Sequence, residues 1–428
     1  VNRSHSAEPE RVRLLLKTFA SYENFLSVLA SYEVMPIILT AAPRGANSGR
    51  FAQTVYLFLC FASAAALSIP ICIWGLFKYA RRSSFSSTFP FILKGNVIVL
   101  ARTLVHRKMT EDALGNAETK PLEIELSLCQ KTKGAASFLR ILCVDAKPLA
   151  LLVFSFRYSV REMARILVVF VRNAFLSVLV RQGFQLALES CPEARTLCVL
   201  EGGYPSAACR SAAQHRSGIT TLFIQHGFFG FWFVPDRFDA WSFLTRLDRA
   251  HVERLLDEPV MNAISRFELP ERDLSVAHAD VTHGSVLLAM EYAHIRLSEE
   301  TLSKTYGAVV DAAGALELVV YLRPHPRDKG VWWHSLLERG ARLDPYAKAS
   351  IAHSVSENGV SVLFTIFSTA LLESLEEKVP CALLYVPSVT DWVPYDVDLL
   401  GFGIRSPVDL RTLLTRIKTS TRSAKPAG

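Results

Sequence analysis

The sequence predicts an α/β protein with two Rossmann-like domains facing a cleft, behind an N-terminal transmembrane or membrane-embedded helix. Three observations carry this. Strand–turn–helix–strand units recur downstream of Thr196, which is the signature of parallel sheets. At 428 residues the chain exceeds one ordinary core and fits two domains plus extra segments. The run Phe51–Phe77 contains no charged residue, and about 20 apolar residues suffice to span a bilayer core.

Composition narrows the function classes. Half the residues are apolar, so disorder is not the default, and the mean hydropathy of +0.24 suggests that some surface meets lipid. A net charge of +7 suits anionic partners such as lipid headgroups or nucleotide phosphates. No interleaved basic and aromatic stripe is present, so nucleic acid is not an expected partner. The eight cysteines are scattered without C-x-x-C spacing, which excludes the usual zinc and redox motifs and fits a reducing compartment.

From the N-terminus, residues 1–50 form a weakly patterned segment in which Arg11–Leu29 reads as an amphipathic helix. No signal peptide is expected, because the first strong apolar run begins only near Phe51. The span 51–77 tolerates Pro70 and Gly75 as membrane helices do. Lys78, Arg81 and Arg82 outweigh Arg44 and Arg50, which predicts a membrane protein whose domain C-terminal to the span faces the cytoplasm. The first Rossmann-like domain is expected over 78–258, with strands at Val97–Leu100 and Leu139–Val144. Arg157, Arg161, Arg165 and Arg172 share a narrow sector of a helical wheel. That helix either lies on an anionic membrane surface or packs on a sheet with its arginines in water.

Thr196–Leu200 reads as a strand, Ser206 as the N-cap of a helix stopping near Gly218, and Thr220–Ile224 as the next strand. The second domain is expected over 283–415, with a basic tail at 416–428. In it, Val286–Met290 is a strand and Ser298 caps a helix with an apolar stripe of Leu302, Tyr306, Val309, Val310 and Ala313. Leu316–Leu322, Val360–Phe367 and Cys381–Val386 are further strands, with a helix at Ala370–Lys378.

Ligands of open parallel sheets bind at the carboxyl ends of the strands, and the chemistry-bearing residues sit there. Glu201 follows one strand, as a carboxylate fit for general base work. Gln225, His226 and Gly227 follow the next: the imidazole can move a proton and the glycine admits close approach. Arg323, Pro324, His325 and Pro326 present one imidazole on a proline-stiffened loop, beside arginines able to pair with phosphate. Ser368 and Thr369 precede a helix whose N–H groups suit phosphate, with Glu373 one turn in. Each feature also has an ordinary use, as a turn, an N-cap or a solvated charge. Asp396 and Asp398 read as a solvated loop, so no metal site is expected.

On the Gln225-His226-Gly227 loop, the His325-Pro326 pair and the Ser368-Thr369 turn before Glu373, the stretch from Thr196 to Val386 resembles bacterial surface-polysaccharide enzymes of the GT-B glycosyltransferase type. These include capsule-polysaccharide biosynthesis proteins, bacterial sialyl- and polysialyltransferases, and teichoic-acid glycerophosphotransferases. The resemblance implies a nucleotide-activated donor, often CMP- or CDP-linked, as substrate rather than cofactor, with 283–415 as the donor-side domain and 78–258 as the acceptor-side domain. His325 would assist the leaving phosphate, Ser368 and Thr369 would bind it, and Glu201 or His226 would deprotonate a glycan or lipid-linked acceptor. The sialyltransferase-like members carry an acidic pair before a glycine where this chain has Leu200-Glu201-Gly202, so the first acid is missing. The expected function is inverting, metal-independent sugar transfer. A CDP-polyol phosphotransferase, a non-catalytic polysaccharide assembly or export protein, and a nucleotide-sugar epimerase stand as alternatives.

Overall fold

The computed structural model describes residues 90–267, 284–387 and 402–423 apart from short stretches within them, with scattered positions before residue 90. The expected membrane span 51–77, Pro326, Arg327 and the Asp396–Asp398 loop lie outside the described residues. The chain divides into two compact units, the first running to Arg266 apart from two short excursions and the second taking the rest from Phe267.

The first unit is built on a seven-stranded sheet in the order β3-β1-β2-β4-β5-β6-β7. Strands β1 (Phe91–Lys94) and β2 (Val97–Leu100) form a hairpin closed by Gly95 and Asn96, with Gly95 at φ +59°. That sign of φ is what two-residue hairpin turns require. β3 (Thr119–Leu122) pairs antiparallel on the outer side of β1, after helix α1 (Leu104–Leu114). From β2 inward the sheet is parallel, through β4 (Thr196–Val199), β5 (Thr220–Ile224), β6 (Ala240–Phe243) and β7 (Ala263–Ser265).

Helix α2 (Val160–Ser190) carries Arg161, Arg165 and Arg172 of the arginine stripe, and Arg157 lies outside the described residues. It starts at a capping box in which Ser159 Oγ accepts from Glu162 N and Glu162 Oε2 accepts from Ser159 N. Arg161, Arg165 and Arg172 are exposed while Ile166, Phe170, Val178 and Phe184 are buried. Over Arg161–Ser190 the helix is long and apolar enough to cross a membrane, yet 61% of its most apolar window is buried inside the protein. It packs as a core helix: the Phe184 and Phe91 rings lie 4.9 Å apart, edge to face. Gly183 makes room, since a Cβ there would stand 2.4 Å from the Phe91 ring. In the N-terminal segment, Leu15, Phe25 and Leu29 are helical and buried, with Phe25 6.1 Å from the Phe170 ring.

Several expected boundaries shift. Within Leu139–Val144, Arg140 and Ile141 are helical rather than extended; nearby, buried Gly134 and Phe138 are spaced by one helical turn, and Phe138 packs on Phe175 of α2. Ser206 is not an N-cap. Helix α3 (Tyr204–Ala213) starts from Gly203 at φ +78°, with Pro205 in its first turn where a missing N–H costs nothing. Ser206 lies inside, its Oγ donating to the Glu201 carbonyl at 2.9 Å. Helix α4 (Arg246–Leu256) completes the unit.

The second unit holds a six-stranded, all-parallel sheet in the order β10-β9-β8-β11-β12-β13. Its strands are β8 (Ser285–Ala289), β9 (Val319–Arg323), β10 (Arg342–Leu343), β11 (Val360–Thr365), β12 (Cys381–Leu384) and β13 (Phe402–Ile404). The central strands β8 and β11 are buried along their whole length, as a sheet covered on both faces demands. Helix α5 (Glu299–Gly314) is capped by Ser298 Oγ, and all five stripe residues are buried. The strand expected from Leu316 begins only at Val319, because Ala315, Leu316 and Glu317 close the helix and Glu317 turns at φ +57°. Helices α6 (His334–Glu338), α7 (Ile351–Glu357), α8 (Ala370–Glu376) and α9 (Pro407–Ser423) follow, α8 ending two residues short of the expected Lys378.

Candidate functional site

In the first unit, three adjacent parallel strands deliver polar side chains to one sheet edge. β2 is followed by Arg102, β4 by Glu201 and β5 by His226. Arg102 Nη1 lies 2.5 Å from Glu201 Oε2, and both side chains stay about a third exposed, at 34% and 28%. His106, buried in α1, brings Nε2 to 3.6 Å from the other carboxylate oxygen, Oε1. Its ring meets that of His226 edge to face at 4.9 Å. His226 Nδ1 bonds the carbonyl oxygen of Leu200. A carbonyl only accepts, so Nδ1 carries the proton and the basic lone pair sits on Nε2. Arg102 also stands over the Tyr204 ring at 5.8 Å.

Glu201 thus has a guanidinium on one oxygen and an imidazole facing the other, an arrangement that orients those groups more than it leaves a lone base. Gln225 is buried, and its amide is used inside the protein: Nε2 donates to Asp248 at 2.8 Å and Oε1 accepts from Leu244 N at 2.8 Å. Its backbone carbonyl accepts from Arg266. Gln225 is therefore a bracket that fixes the loop bearing His226. At Gly227 an added Cβ would meet nothing within 4 Å, so neighbouring atoms do not demand glycine there.

In the second unit, counting strands from β8, the sheet order is 3-2-1-4-5-6, that of doubly wound nucleotide-binding sheets. The order reverses between β8 and β11, so the chain leaves these neighbours in opposite directions and opens a crevice at their carboxyl ends. Glu291 and Tyr292 follow β8, while Ser368 and Thr369 follow β11. His325 follows β9 and packs against Tyr292 with ring centres 4.7 Å apart and ring planes tilted by 38°. Ser368 Oγ accepts from Ala370 N at 3.3 Å, which ties down the turn before α8 as well as placing a hydroxyl at the crevice.

Like Gln225 of the first unit, also an expected donor contact, two expected donor contacts of this unit have other work. Arg323 turns back into the fold, where its guanidinium pairs with buried Asp344 at 3.2 Å and bonds the carbonyls of Tyr346 and Ala349 and the hydroxyl of Ser354. Asp344 further accepts from Ser354 Oγ at 2.7 Å and Asn358 Nδ2 at 2.9 Å. Arg323 is an anchor between β9 and α7. Glu373 Oε2 accepts from Ile351 N at 3.2 Å and so caps α7.

Sequence reasoning missed Arg102, His106 and Glu291. Arg102 and Glu291 lie two residues past strands that the sequence did reveal, so the rule that ligands meet strand ends points at both. His106 gives no such signal, because its place depends on how α1 packs.

Together these features define a doubly wound α/β protein whose polar side chains collect at the carboxyl ends of parallel strands. No protein-family model matches the chain, and no curated protein matches it in sequence. Among solved structures it is similar to a putative UDP-N-acetylglucosamine 2-epimerase from Listeria monocytogenes, at 10% identity and a TM-score of 0.40 over 59% of this chain and 73% of that one. It is similar to S. aureus MnaA in a structure with UDP, at 9% identity and a TM-score of 0.36 over 57% and 72%. A UDP-glucose:anthocyanidin 3-O-glucosyltransferase in complex with UDP matches at 13% identity and a TM-score of 0.23 over 61% and 54%. Likenesses at this level leave the fold to be argued from the strand order itself.

Proposed function

We propose that the protein is a GT-B-type glycosyltransferase that moves a sugar from a nucleotide-activated donor, CMP-linked by the resemblance, to a surface glycan or lipid-linked acceptor. The observation that carries this reading is the strand order of the second sheet, whose switch point is bordered by Ser368, Thr369 and Tyr292, with His325 packed against the last. The second unit would hold the donor and the first would activate the acceptor.

His226 Nε2 takes the proton of the acceptor hydroxyl. The acceptor oxygen attacks the anomeric carbon as the carbon–oxygen bond to the phosphate breaks, and the phosphate leaves with the electron pair. His325 and the hydroxyls of Ser368 and Thr369 donate to the phosphate oxygens as charge develops, a preorganised stabilisation that asks for no metal. Glu201, held by Arg102, keeps His106 and the neighbouring His226 in place. The apolar run 51–77 anchors the chain where lipid-linked acceptors are found, with the catalytic units on the cytoplasmic side.

The test is a titration of the detergent-solubilised protein with CMP, CDP, UDP and GDP, followed by thermal unfolding and repeated with His325→Ala. At ligand about 100 times Kd, binding stabilises by about 2.7 kcal/mol, a shift of several degrees. A shift with one base class that vanishes in the variant is the expected result. A CDP-selective response with CDP-polyol turnover would move the assignment to polyol-phosphate transfer. No shift with any nucleotide in a folded sample would sink the donor reading and favour a non-catalytic assembly role.

A further inference from the structure

The switch-point crevice of the second unit contains a carboxyl group that the transfer reaction does not use. Glu291 lies two residues past β8, beside the end of β11: Leu288 pairs with Phe364, which places Ala289 next to Thr365. Its oxygen Oε1 is shut off from solvent and has no hydrogen-bond partner among the described residues. The nearby polar groups are already turned elsewhere. Tyr306 of α5 accepts from Glu291 N at 3.1 Å, and its hydroxyl proton goes to the Ala289 carbonyl at 3.3 Å. Thr365 Oγ1 is equally shielded and faces the Tyr306 hydroxyl.

A buried carboxyl oxygen without a partner is costly and rare unless something outside the chain completes it. Here it sits where sheets of this order hold their ligands. Burial pushes the Glu291 carboxyl up to about 8, so at neutral pH it is an acid with one O–H donor beside one carbonyl acceptor. Such a pair does not repel a neighbouring phosphate as a carboxylate would. It matches a group that both donates and accepts at adjacent atoms, which is the chemistry of a vicinal hydroxyl pair.

We propose that Glu291 lines a ligand subsite in this crevice and hydrogen-bonds a vicinal hydroxyl pair of the donor, either the ribose diol or hydroxyls of the transferred sugar. The inference rests on the nucleotide-donor reading above and adds a residue and a contact to it.

The experiment is calorimetric titration of the full chain in detergent at pH 7. The probes are the nucleotide that stabilises the protein, its 2′,3′-dideoxy form and the corresponding nucleotide sugar, each against wild type, Glu291→Gln and Glu291→Met. Glutamine keeps a donor beside an acceptor and should bind within about threefold of wild type, whereas methionine should lose about tenfold or more. If the ribose is the source, the dideoxy form loses a similar factor in wild type and nothing further in Glu291→Met. If the sugar is the source, the dideoxy form binds like its parent and only the nucleotide sugar weakens in Glu291→Met. Unchanged binding of every probe in a folded Glu291→Met overturns this inference and leaves the donor reading standing. Should that variant not fold, Glu291→Asp decides, since retraction by one methylene must weaken binding. Failure of every nucleotide to bind wild type overturns both.

Discussion

The two sheets place polar residues at their carboxyl ends in different ways. In the first unit, Arg102, His106, Glu201 and His226 come from adjacent elements and contact one another, so each side chain is oriented by the next. In the second, Arg323 and Glu373 are drawn into structural bonds, and what remains at the crevice is bordered by Tyr292, Ser368 and Thr369 with Glu291 beneath. The first unit resembles a reacting centre, with an imidazole of fixed tautomer next to a carboxylate. The second resembles a binding crevice, whose position comes from topology rather than from converging charges. A charged residue at a strand end is therefore not equivalent to a ligand contact. Arg323 and Arg102 occupy similar places by sequence logic, yet one points into the fold and the other stays at the surface.

The comparison can be broken most directly at His226. His226→Ala should cut turnover by about 10²–10⁴-fold, with the circular dichroism spectrum unchanged, because it removes the proposed base. A variant that retains activity would take the reacting centre out of the first unit. Next in size is the anchor in the second unit. Arg323→Ala leaves Asp344 buried beside its other donors and should destabilise by about 3–5 kcal/mol in denaturant unfolding. A loss of nucleotide affinity without loss of stability would return Arg323 to the donor site.

Glu291 gives a pH-dependent effect. Its carboxyl titrates near 8 when folded and near the ordinary 4.5 when unfolded. Between those values the folded state holds more protons, so stability should fall as pH rises from about 4.5 to about 8 and level off above. Glu291→Gln should flatten that slope in unfolding measured at several pH values, with a difference of at most about 5 kcal/mol across the window. A smaller effect is expected at the Arg102–Glu201 pair, whose side chains are about a third exposed. Arg102→Met should change stability by less than about 1 kcal/mol while lowering turnover, which separates orientation from folding. Smallest of all, Gly227→Ala should leave stability within about 0.5 kcal/mol, since the added methyl meets no atom of the described residues within 4 Å; any loss of acceptor-side activity would then report approach of a ligand.

Local sequence determined the elements whose signals are local. Val97–Leu100 and Thr220–Ile224 have the bounds that their apolar runs set, and Ser298 with the stripe on α5 follows from helix periodicity and capping. The sequence reading stopped at Val97–Leu100 and missed β1, although the Gly95-Asn96 turn that joins the two strands is a local signal. Where two local signals compete, the boundary moved: Pro205 in the first turn of α3 overrode Ser206 as a cap. Tertiary structure alone decided which strand-end side chains stay at the surface. It turned Arg323 onto Asp344, tied Gln225 to Asp248, brought His106 beside Glu201 and left Glu291 Oε1 without a partner among the described residues. The physical reason is range. Hydrophobic period, capping and turn chemistry act over a few residues, whereas a side chain's partner and its desolvation depend on atoms brought near it by packing from 20 to 100 positions away.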